Sequence, residues 1–326
     1  MNSRERFLET MHFGKPDRVP YFEEGIREEV FRAWQGQGLA SVADLAGMFP
    51  SDRREEVEID GYPHPGFIRW PVSISRLNGL RRRLKPSESR LPEGWRKKVS
   101  LWRARQDVLM LEVHHGFFLS MGVRDWKRFY QVMEALTDQP DYVLEVMRIE
   151  AEMVANLAER FLAEVQVDAA IFSEPIGGND GSLISPRMYE KFVLSSYVPV
   201  LDVLRRHGVE VFILRTYANA RVLIPSMLKF GLNCLWACET NAEAMDYRSI
   251  RKEYGHDLGL IGGIDLDVLR EGKDAIRREV EEKVPPLLAE GGYVPLADGR
   301  VREEVLLENY LYYRRLLKAV TRPVLK

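Results

Sequence analysis

Eight short apolar runs, many rich in β-branched residues and separated by longer segments of helical period, set the strongest limit on what this 326-residue chain can fold into. They are VPYF (19–22), AGMF (46–49), VLMLEVHH (108–115), VDAAIFS (167–173), VEVFIL (209–214), LNCLWA (232–237), DLGLIGG (257–263) and GYVPLA (292–297). Strands that alternate with helices predict a sheet of parallel βα units, and eight such units predict a (β/α)₈ TIM barrel occupying residues 1–326 as a single domain. Between the strands, Val146, Ile149, Met153, Leu157 and Phe161 recur at steps of three or four and mark the buried stripe of one helix. Leu306, Tyr310, Tyr313, Leu317 and Val320 mark another. Ser185-Pro186 predicts a third helix start, with a capping hydroxyl ahead of a proline in the first turn.

Residues 51–106 interrupt the alternation. Asn78-Gly79 within RLNGLRRRL reads as a type I′ turn, so an antiparallel hairpin insertion is expected near residues 51–106. Its basic run, Arg81, Arg82, Arg83 and Lys85, reads either as a solvated face or as a docking surface for an acidic ligand or partner.

Composition narrows the function. With 45% hydrophobic and 29% charged residues and a net charge of −2, the chain carries no global signal for nucleic acid or a membrane surface. No apolar run approaches the roughly 20 residues of a membrane helix, and the charged opening MNSRERFLETM does not resemble a signal peptide, so a cytoplasmic location is expected. The two cysteines, Cys234 and Cys238, are too few for a disulfide framework or a four-cysteine zinc site and read better as buried thiols than as metal ligands.

Barrel enzymes do their chemistry where the strands end. In this sequence the ends are followed by Glu23 and Glu24, Asp52, His114 and His115, Glu174, Arg215 with Tyr217, Glu239, Asp265 and Asp298. A neutral imidazole at His114 or His115 suits a general base, a proton donor to a leaving group or a metal ligand. Glu174, ahead of the glycine-containing loop EPIGGNDGS, suits acid–base work or a hard metal. Arg215 suits a carboxylate clamp, with Tyr217 and Asn219 beside it, although an ion pair with Glu174 or Glu239 would explain the same arginine. Neither a GxGxxG nor a Walker sequence occurs, so a nucleotide cofactor is not indicated.

RERFLETMHFGKPDRVPYFE at the start, GSLISPRMYEKFVL in the centre, and IGGIDLDVLREGKDAIRREVEEKVPPLLAEGGYVPLADGR followed by ENYLYYRRLL resemble the uroporphyrinogen decarboxylase superfamily. The resemblance covers nearly the whole chain in order and implies the same barrel. It also implies one of several activities. The tetrapyrrole decarboxylases of the superfamily carry an RQAGRY-type segment after the first strand, where this chain has YFEEGIREE, and a GHG-like turn where it has ADGR, with Asp298. The zinc-dependent thiol methyltransferases carry His-x-Cys-Gly where it has Arg215-Thr216-Tyr217-Ala218.

A third branch moves a methyl group from a small substrate, such as a phenyl methyl ether, to the corrinoid of a partner protein. That resemblance implies a reaction centre of His115, Glu174, Arg215, Tyr217 and Asp298, with Glu24, His114, Asn219, Glu239 and Asp265 toward the substrate. No tightly bound cofactor is visible in the sequence. If the site holds zinc, Glu174, His115, His207 and Glu239 are the candidate ligands. The expected partners are a small molecule and a corrinoid protein; decarboxylation of a tetrapyrrole or another polycarboxylate is the alternative.

Overall fold

The computed structural model describes residues 1–240 and 243–322. Its centre is one sheet of seven strands, all parallel and hydrogen-bonded in chain order. They are β1 (Arg54–Glu58), β2 (Val108–His114), β3 (Ala169–Glu174), β4 (Phe212–Tyr217), β5 (Cys234–Cys238), β6 (Gly259–Ile264) and β7 (Tyr293–Ala297). Parallel neighbours require a crossover, and helices supply it between successive strands.

Alternate residues of these strands separate into two cores. Val108 and Met110, Ala169 and Ile171, Val211 and Ile213, Cys234 and Trp236, Ile261, and Val294 and Leu296 meet in one interior cluster, joined by Phe22 and, from the first helix (Ser3–Met11), by Phe7 and Met11. The residues between them, among them Leu109, Leu111, Ala170, Phe172, Leu214, Leu235 and Leu260, join the helices in a larger outer cluster. A sheet covered on both faces explains why its strands read as nearly continuous apolar runs. One interior shared by residues of β2 through β7 means that the sheet is curled, and the fold is TIM-barrel-like.

Several expectations need correction. Seven strands are present among the described residues, not eight. VPYF takes part in no ladder, and AGMF belongs to the end of the helix Val42–Met48 and the residue after it. The segment 51–106 contributes no antiparallel hairpin: it supplies β1, parallel to β2, and Asn78-Gly79 opens the helix Asn78–Arg83. Leu77, Leu80 and Leu84 bury the inner side of that turn, and this tertiary packing outweighs the local turn preference. Part of its basic run is used internally, since Arg81 pairs with Glu145 and Arg83 donates to the carbonyl of Pro65 at 2.9 Å.

No helix among the described residues is long and apolar enough to cross a membrane.

Candidate active site

The interior alternation fixes which side chains reach the mouth. On β1 it directs Arg54, Glu56 and Glu58 inward, because Val57 joins the outer core. Continuing from Val108 and Met110 it brings in Glu112, whose Cα pairs with Glu58 on one side and Ile171 on the other. On β4 it brings in Arg215 and Tyr217, and on β5 Trp236 and Cys238. Arg215 is thus a mouth residue, as its place after Ile213 implies.

These groups form a tight electrostatic set. Arg215 Nη2 lies 2.7 Å from Glu56 Oε2, and Arg54 Nε lies 3.0 Å from Glu56 Oε1 and, through Nη2, 3.9 Å from Glu24. Both guanidiniums stack on Trp236, at 4.3 Å for Arg215 and 4.9 Å for Arg54. Burial would raise the pKa of Glu56, but Arg215 and Arg54 hold it below the ordinary carboxylate range. Glu24 is pushed up by burial, against the pull of Arg54 and Arg215. Tyr217 is pushed up to about 12, chiefly by burial. Glu24 Oε1, Arg215 Nε and Trp236 Nε1 are buried polar atoms without a hydrogen-bond partner of good geometry, although the Trp236 indole is close enough to oppose the upward shift at Glu24.

Glu112 escaped the sequence reading. Its carboxyl makes no hydrogen bond or ion pair with any described residue, and its pKa is raised to about 7 by burial together with Glu56 and Glu58, against the opposing charge of Arg215. One acid in the apolar run VLMLEVHH, at the parity of Val108 and Met110, was the available signal.

Glu174, His114 and His115 lie elsewhere. Glu174 has the parity of Ala170 and Phe172, so it points toward the helices and is fully buried. Its Oε1 accepts from the Phe117 amide at 2.8 Å and its Oε2 from the Tyr197 hydroxyl at 2.6 Å. A register shift between Glu112 and His114 aligns His114 with Phe172, on the same outer side. There its Nε2 lies 3.4 Å from Glu174 and its Nδ1 3.7 Å from Glu150, which accepts from Ser120 at 2.9 Å. Burial lowers the His114 pKa, but Glu174 and Glu150 outweigh it and the net shift is upward. His115 stacks on Tyr62 at 4.3 Å, and burial followed by the charge of His114 lowers its pKa to about 4. It is a neutral imidazole at pH 7.

The remaining residues rim the mouth. Asp298 accepts from Thr240 through both amide and hydroxyl at 2.8 Å and from the Leu266 amide at 3.1 Å, tying together the chain after β5, β6 and β7. Burial raises its pKa. Asp265 accepts from the Asp267 amide at 2.8 Å, and Asn219 accepts from the Arg221 amide at 3.2 Å while its backbone bridges to Gly178. Glu239 has a left-handed backbone, φ 45°, and lies 3.5 Å from Arg302.

The zinc candidates do not converge. His207 bonds Glu159 at 2.9 Å at the end of a helix, Glu174 is sealed behind the sheet, His115 is under Tyr62 and Glu239 faces Arg302. These four residues do not fit a shared zinc ion, and among the described residues no group of three or more His, Cys, Asp and Glu side chains could hold a metal.

The family model for uroporphyrinogen decarboxylase matches residues 120–294. The chain belongs to this family. Its matched part holds β3 through β6 and the start of β7, and therefore Arg215, Tyr217 and Trp236, while Arg54, Glu56 and Glu112 precede it. Among curated relatives, the uroporphyrinogen decarboxylases of Legionella pneumophila strains Paris and Corby are each 25% identical over 173 residues, covering 52% of this chain and 44% of the relative. The match thus spans less than half the length of those relatives.

Among solved structures, xylanase B from Clostridium stercorarium F9 aligns at 12% identity with a TM-score of 0.42, covering 86% of this chain and 89% of that one. A Bacteroidetes-affiliated GH5 cellulase linked with a polysaccharide utilization locus aligns at 11% identity with a TM-score of 0.41, covering 98% and 94%. At those scores neither likeness carries weight for fold or activity.

Proposed function

We propose that this member of the uroporphyrinogen decarboxylase family is a methyltransferase that takes a methyl group from a small methylated substrate, such as a phenyl methyl ether, and passes it to a corrinoid carried by a partner protein. The observation that supports this reading is the charge of the mouth. Glu24, Glu56, Glu58 and Glu112 are set against Arg54 and Arg215, and both guanidiniums are already held by Glu56. A polycarboxylate would meet more carboxylates than cations, and each close like-charge pair costs on the order of 1 kcal/mol or more at an effective dielectric between water and protein. A small neutral substrate meets no such barrier.

The chain's residues have defined tasks in this reaction. Arg215 and Arg54 fix the Glu24–Glu56 side of the mouth, Trp236 beneath them gives a rigid floor, and Tyr217 offers a phenol that remains protonated at neutral pH. When a methyl leaves an ether oxygen, negative charge develops there and must be met by a donor or a cation. The corrinoid, when its partner docks, supplies the methyl acceptor.

The test mixes the purified protein with a reduced corrinoid protein and a panel of methoxyarenes and follows methyl-cobalt absorbance. Methyl transfer from at least one ether is expected. Consumption of uroporphyrinogen with release of carbon dioxide, and no methyl transfer across the panel, would establish the decarboxylase reading instead.

A further inference from the structure

We infer that Glu112 is the acid that protonates the departing oxygen. The assignment rests on the methyl-transfer reading above and names the residue which performs its proton step. It follows from what each carboxyl around the mouth is already doing. Glu23 is held by Arg314 at 2.8 Å, Glu24 by Arg54 and Glu56 by two arginines. Glu174 is locked behind the sheet by Tyr197 and the Phe117 amide, and Asp298 accepts three hydrogen bonds that join neighbouring loops. Moving a proton on or off any of these would disturb a structural contact.

Glu112 has no such duty, and of the two mouth carboxyls without a partner among the described residues it is the more buried, since Glu58 is exposed. It points inward from β2 at the level of Glu58 and Ile171, in a wall whose other inward positions on that strand, Val108 and Met110, are apolar. Its charged and titratable surroundings are Glu56 and Glu58 on β1, Tyr62 beyond β1, His114 on its own strand, and Arg215 and Tyr217 on β4. Burial and the two glutamates favour its neutral form, which places its titration near the working pH, where general acids are most effective. Arg215 then faces the carboxylate left after the proton has gone.

The atoms balance without a further reactant. The bond between methyl carbon and oxygen breaks and the oxygen keeps its electron pair. The reduced corrinoid supplies the pair for the new bond to the methyl group. The Glu112 proton goes to the oxygen, the product leaves as a neutral alcohol or phenol, and Glu112 regains a proton from water at the mouth.

Glu112→Gln keeps the shape and removes the acid; Glu112→Asp keeps the acid and withdraws it by one methylene. Both are compared with the wild type in single turnovers with a reduced corrinoid protein, over anisoles whose phenols range from weakly acidic to nitrophenol. Glu112→Gln is expected to lose roughly 10²- to 10⁴-fold on the poorest leaving group. It should lose little on nitroanisole, where no proton is needed, with Glu112→Asp between it and the wild type. The wild-type rate on anisole should fall above pH 7 and the Glu112→Gln rate should not. A loss of equal size across the series, or no loss, overturns the assignment. In difference infrared spectra a carboxyl stretch titrating near pH 7 should be present in the wild type and absent from Glu112→Gln; its presence in both also overturns it. If the wild type moves no methyl group from any ether, the methyl-transfer reading fails and the assigned proton step goes with it, an outcome distinct from a wild type that works and a Glu112→Gln that works equally well.

Discussion

Glu112 and His115 stand three residues apart and couple folding to pH with opposite signs. His115 drops from an ordinary 6.5 to about 4 because it is buried and next to His114. Between those values the unfolded chain binds a proton that the folded chain does not, so this contribution is complete above pH 6.5 and is lost as pH falls through 4. Glu112 rises from 4.5 to about 7. Here the folded chain holds the extra proton, so the contribution is complete below pH 4.5 and is lost as pH rises through 7. Each shift corresponds to at most about 3–4 kcal/mol, and for Glu112, which keeps some contact with water, about 1–2 kcal/mol is expected. Urea unfolding at pH 4.5, 6.5 and 8 separates them. Glu112→Gln should gain stability relative to the wild type at pH 8 and little at pH 4.5, whereas His115→Asn should reduce the loss seen on going from pH 6.5 to pH 4.5. A substitution that raises stability while removing activity is the pattern expected of a residue placed for chemistry.

At the scale of strands and loops, Gly177 shows how tightly two loops of the mouth are joined. A Cβ at Gly177 would lie 2.0 Å from the carbonyl oxygen of Tyr217, and the next residue, Gly178, accepts from the Asn219 amide at 3.0 Å. Gly177→Ala must push the loop after β3 away from the turn after β4 and is expected to cost about 1–3 kcal/mol, in the range of overpacking substitutions. It should also speed proteolysis within residues 177–185. Gly36→Ala, at the end of a helix with nothing near its Cβ, is the control and should be neutral or slightly stabilising. Limited proteolysis with urea titration measures both.

The same scale explains what the sequence disclosed. Strands β2 to β7 were legible because both of their faces are buried. β1, REEVE, was not: its inward face is the charged wall of the mouth, so only Val57 remains apolar and the strand reads as a loop. Arg215 and Tyr217 could be placed from the alternation that runs through Ile213. His114 could not, because a register shift that turns a side chain outward leaves no mark in an apolar run. Glu174 stands at a strand end, but the parity of its strand turns it toward the helices, and position at a strand end does not by itself tell the two sides of the sheet apart.

For the molecule as a whole, the sheet order begins at β1 and finishes at β7, and the chain between those two strands has to be held by side chains where a ladder is missing. Residues 19–26 occupy this place: the Tyr21 carbonyl accepts from the Asp52 amide at 3.0 Å, Phe22 joins the interior cluster, and Ile26 bridges Val301. Asp52 is the fastening. Its carboxylate is almost completely buried, accepts from the Tyr21 amide at 2.8 Å and pairs with both Arg6 and Arg18. Asp52→Ala would leave Arg18 and part of the Arg6 charge without a partner in a partly buried place and release Tyr21, at an expected cost of about 3–5 kcal/mol, as for the loss of one member of a buried ion pair. Asp17, which also pairs with Arg6 but is half exposed, supplies the comparison, and Asp17→Ala should cost no more than about 1 kcal/mol. Urea midpoints at pH 7 test the difference. Equal losses at the two positions would mean that the fastening at residues 19–26 is no more important than a surface ion pair, and that the curled sheet holds its shape through the interior cluster alone.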